Sequence, residues 1–417
     1  MKDVSTKRER DKSVIINIVR RLGPMSRVDI HDLTRLRPGT ISLLVRELLR
    51  ENKLLEVGPS DNPLGRKQVL LRLNEESGFI TAIEFDADAV VAAVLNLGAR
   101  VKCSIKENTY LNGGMDGLIR QLLDCTTRVV AQAGIGTGSL VGIGVADPGL
   151  IDSREGVSIT SSTIEFWKGV PLKRIFEAEF DVPFLLESNT RARTIAERIL
   201  GAGHMASDMV YVEYGAGIGL GIVTEGRILR GRGECAGEFG HTHVVEGGPA
   251  CKCGSFGCLE AIAGAPAIAA RARTAVLEGA ASRVLELAGG DPSLITGFHV
   301  IDAARQGDRM CSAILDDVEK YLGLGLANVV NLFNPSLLVL DRRLGMMDES
   351  VLDQIARVVR RQALQQSTEG LEFRYSELGE EAGVLGIALM VLEQLFEIPS
   401  IKLPKFLREA GAQAANA

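Results

Sequence analysis

Apolar positions in the first 73 residues follow two different repeats. Val14, Ile15, Ile18, Val19 and Leu22 recur at helical spacing until Gly23-Pro24 interrupts them. Ser26 is placed to cap a second helix, with Asp29 in its favourable first turn and Ile30 and Leu33 facing inward. After a break at Leu36-Arg37, Pro38 opens a third helix, where a first-turn proline loses no internal hydrogen bond. Ile41, Leu44, Val45, Leu48 and Leu49 make its apolar face, and Thr40, Ser42, Arg46 and Arg50 lie opposite. Leu54–Val57 and Val69–Leu73 then read as a β-hairpin with Gly65-Arg66-Lys67 near its tip. Three helices and a hairpin in this order predict a winged helix-turn-helix domain over residues 1–73, its third helix lying in a major groove. Thr40, Ser42 and Arg46 are the candidates for base edges, with Arg37 at the helix entry. Arg66 and Lys67 are the candidates for backbone or minor-groove contact.

The rest of the chain changes rhythm. Short apolar runs at Val90–Leu95 and Ser139–Val145 predict buried strands, interleaved with helical stretches such as 116–132 and 191–200. This alternation predicts an α/β body. Glu381–Phe396 reads as an apolar-rich helix, with Ala382, Leu385, Leu389, Leu392 and Leu395 available for packing.

Charge separates the two parts. Residues 1–73 hold 16 Lys/Arg against 9 Asp/Glu, a net of +7, while the remainder nets −13 within a whole-chain charge of −6. A basic module on an acidic body predicts a polyanion partner at one end only. No apolar run approaches the ~18 residues of a membrane span. Met1–Asp11 lacks the apolar core of a signal peptide, so the expectation is a cytoplasmic protein with no membrane partner.

Three of the seven cysteines fall within 251–258, which suits a metal better than a disulfide framework. Cys251, Cys253 and Cys258 with His241 are the ligand set of a tetrahedral Cys₃His site, predicting one structural Zn²⁺ per chain. His243 is a rival ligand that would point to the opposite face if this stretch were a strand. Glu238, His241 and Glu260 flank the metal; the two carboxylates could accept hydrogen bonds from vicinal hydroxyls and His241 keeps its second ring nitrogen for a hydrogen bond, so a polyol site is expected beside it.

From Gly23 to about Phe396 the chain resembles the ROK family, in the repressor branch that includes N-acetylglucosamine and xylose operon repressors. The resemblance rests on Gly142-Ile143-Gly144-Val145-Ala146-Asp147-Pro148-Gly149, Gly215-Ala216-Gly217-Ile218-Gly219, Gly237–His241 and the cysteine segment 251–260. It implies an α/β actin-like (ribonuclease H-like) two-lobe body preceded by the α+β winged helix-turn-helix domain. The first lobe would span 74–186, joined by a returning helix at 381–397; the second would span 187–380, leaving a tail at 398–417. It also implies zinc at His241, Cys251, Cys253 and Cys258, and a sugar held by Ser188, Asn189, Glu238, His241 and Glu260. Gly215–Gly221 would then be a strand-turn-strand rather than a dinucleotide fingerprint, for which the partner acid is missing.

Two departures bear on activity. Kinases of the family meet ATP phosphates with an early Asp-x-Gly-Gly-Thr loop; Glu84-Phe85-Asp86-Ala87-Asp88 stands here, without those glycines. Their sugar-deprotonating aspartate corresponds to Asn189, an amide that orients a hydroxyl but cannot take its proton. The expectation is therefore no enzyme activity. The protein is read as a transcriptional regulator of carbohydrate genes, binding a pseudo-palindromic operator as a homodimer or higher homo-oligomer. A sugar or sugar derivative would bind between the lobes, with Arg191 either pairing an acidic effector or facing solvent. The alternatives are a regulator with a vestigial pocket under a protein partner's control, and an ATP-dependent sugar kinase.

Overall fold

The structure, a computed structural model, describes residues 7–59, 68–204, 206–346 and 350–396. Helices α1 (Lys7–Leu22), α2 (Arg27–Thr34) and α3 (Pro38–Arg50) form the N-terminal unit with strands β1 (Met25–Ser26), β2 (Leu54–Pro59) and β3 (Val69–Leu73). Ser26 and Asp29 close a reciprocal capping box, so two donors that α2 would otherwise leave open are satisfied. Ile15, Ile30, Ile41, Val45, Leu54 and Leu71 are fully buried together. β1, too short for any periodicity to reveal, adds a third strand by pairing with β3. Arg66 and Lys67 lie outside the described residues, as does the tail 398–417.

Two five-stranded sheets follow. The first holds β4 (Phe79–Phe85), β5 (Ala89–Asn96), β6 (Val101–Asn108), β7 (Leu140–Asp147) and, after three further strands described next, β11 (Phe184–Ser188). A small side sheet is made by β8 (Leu150–Asp152), β9 (Val157–Thr160) and β10 (Lys168–Val170). Helices α4 (Gly114–Gln132) and α5 (Leu172–Phe180) connect strands within this lobe, and α6 (Asn189–Leu200) leads to the next. The second sheet holds β12 (Met209–Tyr214), β13 (Ile218–Thr224), β14 (Arg227–Ile228), β15 (Leu337–Leu340) and β16 (Glu372–Tyr375). Between them run α7 (Leu259–Ala263), α8 (Ala265–Leu277), α9 (Arg283–Leu287), α10 (Gly297–Arg305) and α11 (Arg309–Phe333). Then come α12 (Arg342–Gly345), α13 (Val351–Gln362), α14 (Gln365–Thr368) and the closing helix α15 (Ala382–Phe396).

The sheets share one topology: β6-β5-β4-β7-β11 and β14-β13-β12-β15-β16, each an antiparallel meander of three strands extended by two parallel ones. This is the actin-like arrangement, with β11 continuing the first sheet as far as Ser188. Gly215–Gly217 is the turn of the β12–β13 hairpin, so the strand-turn-strand reading holds.

Helix α15 returns to the first sheet and packs backbone to backbone on α6. A Cβ on Gly386 would lie 1.8 Å from the Ala192 carbonyl oxygen, which leaves glycine alone at that contact. The far end of α15 meets α1. Asn17 Nδ2 donates to the Phe396 carbonyl at 2.7 Å, and Glu393 accepts from Arg20 at 3.0 Å and Arg21 at 2.5 Å. The Arg20 guanidinium also sits 5.1 Å from the Phe396 ring centre.

Candidate functional site

The carboxyl ends of the strands in both lobes converge on a cleft of about 810 Å³, where open α/β sheets ordinarily place ligands. Its wall brings together Ser188, Asn189, Glu238, His241 and Glu260. Ser188 caps α6 by accepting from Arg191 N at 3.3 Å, which fixes the adjoining Asn189. Asn189 is buried, and its Nδ2 donates to the Phe85 carbonyl at 2.9 Å. Its Oδ1 finds no hydrogen-bond partner among the described residues. An acceptor in that state is left for a ligand or solvent donor, because a buried, unmatched carbonyl is costly. Glu260 Oε2 accepts from Ile218 N at 3.2 Å. Cβ atoms on Gly217 or Gly240 would both stand 3.0 Å from that oxygen, so this carboxylate fits between two glycines.

The metal ligands expected from the sequence also come together. One donor atom from each of His241, Cys251, Cys253 and Cys258 lies within 4.8 Å of the others. Cys253 and Cys258 Sγ are 3.7 Å apart, and Cys251 Sγ is 3.6 Å from His241 Nδ1. Metal–ligand bonds of zinc length at tetrahedral angles give edges of about 3.8 Å for S···S and about 3.5 Å for S···N. The donor set therefore fits a tetrahedral metal ion. Nδ1 is the nitrogen inside the cluster, which leaves Nε2 of a cleft-lining residue for another bond. The reason that His243 stands apart is not the expected one. Phe239–His241 is a 3₁₀ turn rather than a strand, and His243 is tied through Nδ1 to the Phe256 carbonyl at 2.9 Å.

Arg191 requires a correction: it neither faces solvent nor awaits an anion. It is buried, with Nε on Glu187 at 2.6 Å and Nη1 on the Glu234 carbonyl at 2.7 Å. Arg230 completes the network, 2.5 Å from the second oxygen of the fully buried Glu187. A buried carboxylate demands such partners, and this demand takes up Arg191.

Three cleft residues escaped the sequence reading. Asp147 ends β7 fully buried, accepting from Gly149 N at 2.7 Å and from Trp167 Nε1 at 2.9 Å. Burial raises its pKa to about 6 against these two donors. A charged residue at the end of an apolar strand was the available signal. Glu213 and Arg343 were not legible as cleft residues, because only the fold brings Thr190 to Glu213 and sets Arg343 3.9 Å from Glu213. Glu213 accepts from Thr190 Oγ1, and Arg343 pairs with Asp341 at 2.6 Å. The Arg343 guanidinium covers the hairpin turn, 2.8 Å from where a Gly215 Cβ would be.

In the 84–88 segment Glu84 turns away from the cleft to pair with Arg193 at 2.6 Å. Asp86 Oδ1 accepts from both Asp88 N and Ala89 N at 2.8 Å. These backbone donors are thus consumed internally. Burial and Asp86 raise the pKa of Asp88, opposed by Arg343.

On the N-terminal unit Arg37, Ser42 and Arg46 are exposed and Thr40 half-buried. Arg37 occupies the cap position of α3 without a side-chain cap bond. The Glu47 carboxylate of α3 is taken up by Arg8 and, at 3.2 Å, by Lys12 of α1.

A two-lobe actin-like body with a Cys₃His cluster beside its cleft and a three-helix, three-stranded unit in front defines the class. The sequence pattern of the ROK family matches residues 91–394, and the chain belongs to that family. It is 29% identical to a xylose repressor of Caldicellulosiruptor bescii over 375 residues, covering 90% of this chain and 93% of that one. Among solved structures, a ROK family transcriptional regulator, a homologue of the Escherichia coli MLC protein, superposes with a TM-score of 0.78. That match has 24% identity and covers 97% of this chain and all of the other. A ROK family glucokinase from Streptomyces griseus, solved with glucose and AMPPNP, superposes with a TM-score of 0.66 at 26% identity, covering 75% of this chain and 99% of its own. Among the described residues no helix is long and apolar enough to cross a membrane.

Proposed function

We propose that this protein is a sugar-responsive transcriptional repressor of carbohydrate genes, acting as a homodimer or higher homo-oligomer on a pseudo-palindromic operator. Residues 1–73 are its DNA-binding unit, with Arg37, Thr40, Ser42 and Arg46 facing the duplex and Arg66 and Lys67 assigned to the backbone or minor groove. Ser188, Asn189, Glu238, His241 and Glu260 hold the effector, and one structural zinc ion is held by His241, Cys251, Cys253 and Cys258. Zinc supplies folding free energy to the loop bearing these cleft residues and, with four protein ligands, no open position for chemistry. With Arg191 consumed by Glu187, the acceptors Asn189, Glu238 and Glu260 favour a neutral polyol over a phosphorylated or acidic sugar.

One observation carries the reading: the winged-helix unit is packed to the cleft through α15. That helix lies on α6, whose first residues line the cleft, and its other end grips α1. A regulator needs such a connection, and an enzyme with an appended DNA module does not.

The repressor among its relatives supports the reading by name. The glucokinase neighbour keeps a kinase in view, but three features argue against one. Position 189 is an amide, the Asp88 and Ala89 amides are taken up by Asp86, and Arg343 covers the glycine turn. The test is selection of duplexes from a random pool at about 0.15 M salt, with an Arg46→Ala variant alongside. A two-fold symmetric site is expected, weakened or relaxed in the variant by about 1–3 kcal/mol at one position per half-site. No enrichment with metal-loaded protein would overturn the reading.

A further inference from the structure

The exposed line of α3 has an apolar centre. Gly39, Leu43, Arg46 and Arg50 succeed one another at spacings of four, three and four, and all are exposed, so they form one stripe along the helix. Leu43 is 46% exposed, whereas the aliphatic residues Ile41, Leu44, Val45 and Leu48 of the same helix are at most 2% exposed. It therefore does little for the core of its unit. Glu47, beside the stripe, is neutralised from α1 by Arg8 and Lys12, so no uncompensated carboxylate flanks it.

Gly39, one turn before Leu43, is equally unexplained from within the protein. It has no positive φ, and no atom lies within 4 Å of where its Cβ would be. Neither backbone geometry nor packing calls for glycine, and glycine weakens a helix. The missing side chain is useful only to something that approaches from outside.

We propose that Leu43 reads the C5 methyl of a thymine in the major groove, and that Gly39 is the clearance that lets α3 settle to that depth. The thymine methyl is the apolar feature that a base pair presents in this groove, and an aliphatic side chain between groove-facing polar residues matches it. This rests on the DNA-binding reading and adds a base identity to it.

The test uses the full chain on a duplex recovered from the random pool. Each thymine is replaced in turn by deoxyuridine, which removes the methyl and keeps every hydrogen bond. One position per half-site is expected to weaken wild-type binding about three- to tenfold, the scale of one buried methyl group. At that position Leu43→Ala should bind both duplexes alike. Gly39→Ala should melt no lower than wild type and yet bind all duplexes more weakly, so misfolding cannot explain its loss. Equal deoxyuridine losses for wild type and Leu43→Ala would overturn the assignment of Leu43. Undiminished binding by Gly39→Ala would overturn the clearance. If no duplex is selected at all, the DNA-binding reading fails, and this inference fails with it.

Discussion

Asp147 closes β7 with both carboxylate oxygens committed, one to Gly149 N and one to the indole of Trp167. Its pKa, raised from 3.8 to about 6, means that the folded chain binds this proton more tightly than the unfolded one. Stability from this group is complete below the unfolded value and is lost as pH rises through about 6, by about 3 kcal/mol in all. Asp147→Asn cannot titrate, so its stability relative to wild type should climb between pH 4 and 6. Urea unfolding followed at Trp167, the chain's single tryptophan, measures this, and a difference independent of pH would refute it. Residues were legible where their role is local. The capping box of Ser26 and Asp29 and the clustered thiols of 251–258 are short-range patterns. Arg191 was misread because its fate depends on Glu234 and Arg230, some forty positions on, which only the tertiary fold delivers.

At the scale of elements, periodicity marked α1 to α4, α6 and α15 and the buried strands β5 and β7, since a 3.6-residue or unbroken apolar pattern survives whatever the partner is. The shortest elements left no such trace. β1 is two residues long and exists only as an edge partner of β3. The Phe239–His241 element is a single 3₁₀ turn, too short for any apolar period to mark. The loop bearing the Cys₃His cluster carries a prediction for the proposed zinc. Glu238 and His241 lie before the thiols and Glu260 directly after them, so their mutual placement depends on the cluster being closed. Removing the metal with a chelator, or substituting Cys258→Ser, should weaken sugar binding by tenfold or more. DNA affinity without effector should stay within about twofold, because the α1–α3 unit has its own core. Calorimetry with a panel of monosaccharides and DNA titrations on the same preparation separate the two. Parallel loss of both affinities would show that the loop holds the whole molecule together.

The whole molecule joins the cleft to the N-terminal unit, the proposed DNA face, through a chain of stiff contacts, and none of these could be read before the fold was known. Asn17, Arg20 and Arg21 meet a helix more than 370 positions away, and Gly386 explains itself only when set against Ala192. Cleft closure that moves α6 must carry α15 along, since the two touch backbone to backbone. α15 then reaches α1 through Glu393 and Phe396, and α1 holds α3 through Glu47 and Glu51. Coupling of this kind is a free energy: a hundredfold change in DNA affinity on effector binding corresponds to about 2.7 kcal/mol. Glu393 is half exposed, so losing its two arginine contacts should cost stability no more than about 1 kcal/mol. Glu393→Ala should therefore keep DNA affinity without effector, and effector affinity without DNA, each within about twofold of wild type. What should fall, by about three- to tenfold, is the ratio of DNA affinities measured with and without saturating effector. Reciprocity requires the same loss in the ratio of effector affinities measured with and without operator, so the two titrations check each other. A ratio unchanged in both directions would mean that the α1–α15 clasp fixes the winged helix in place but does not transmit the state of the cleft.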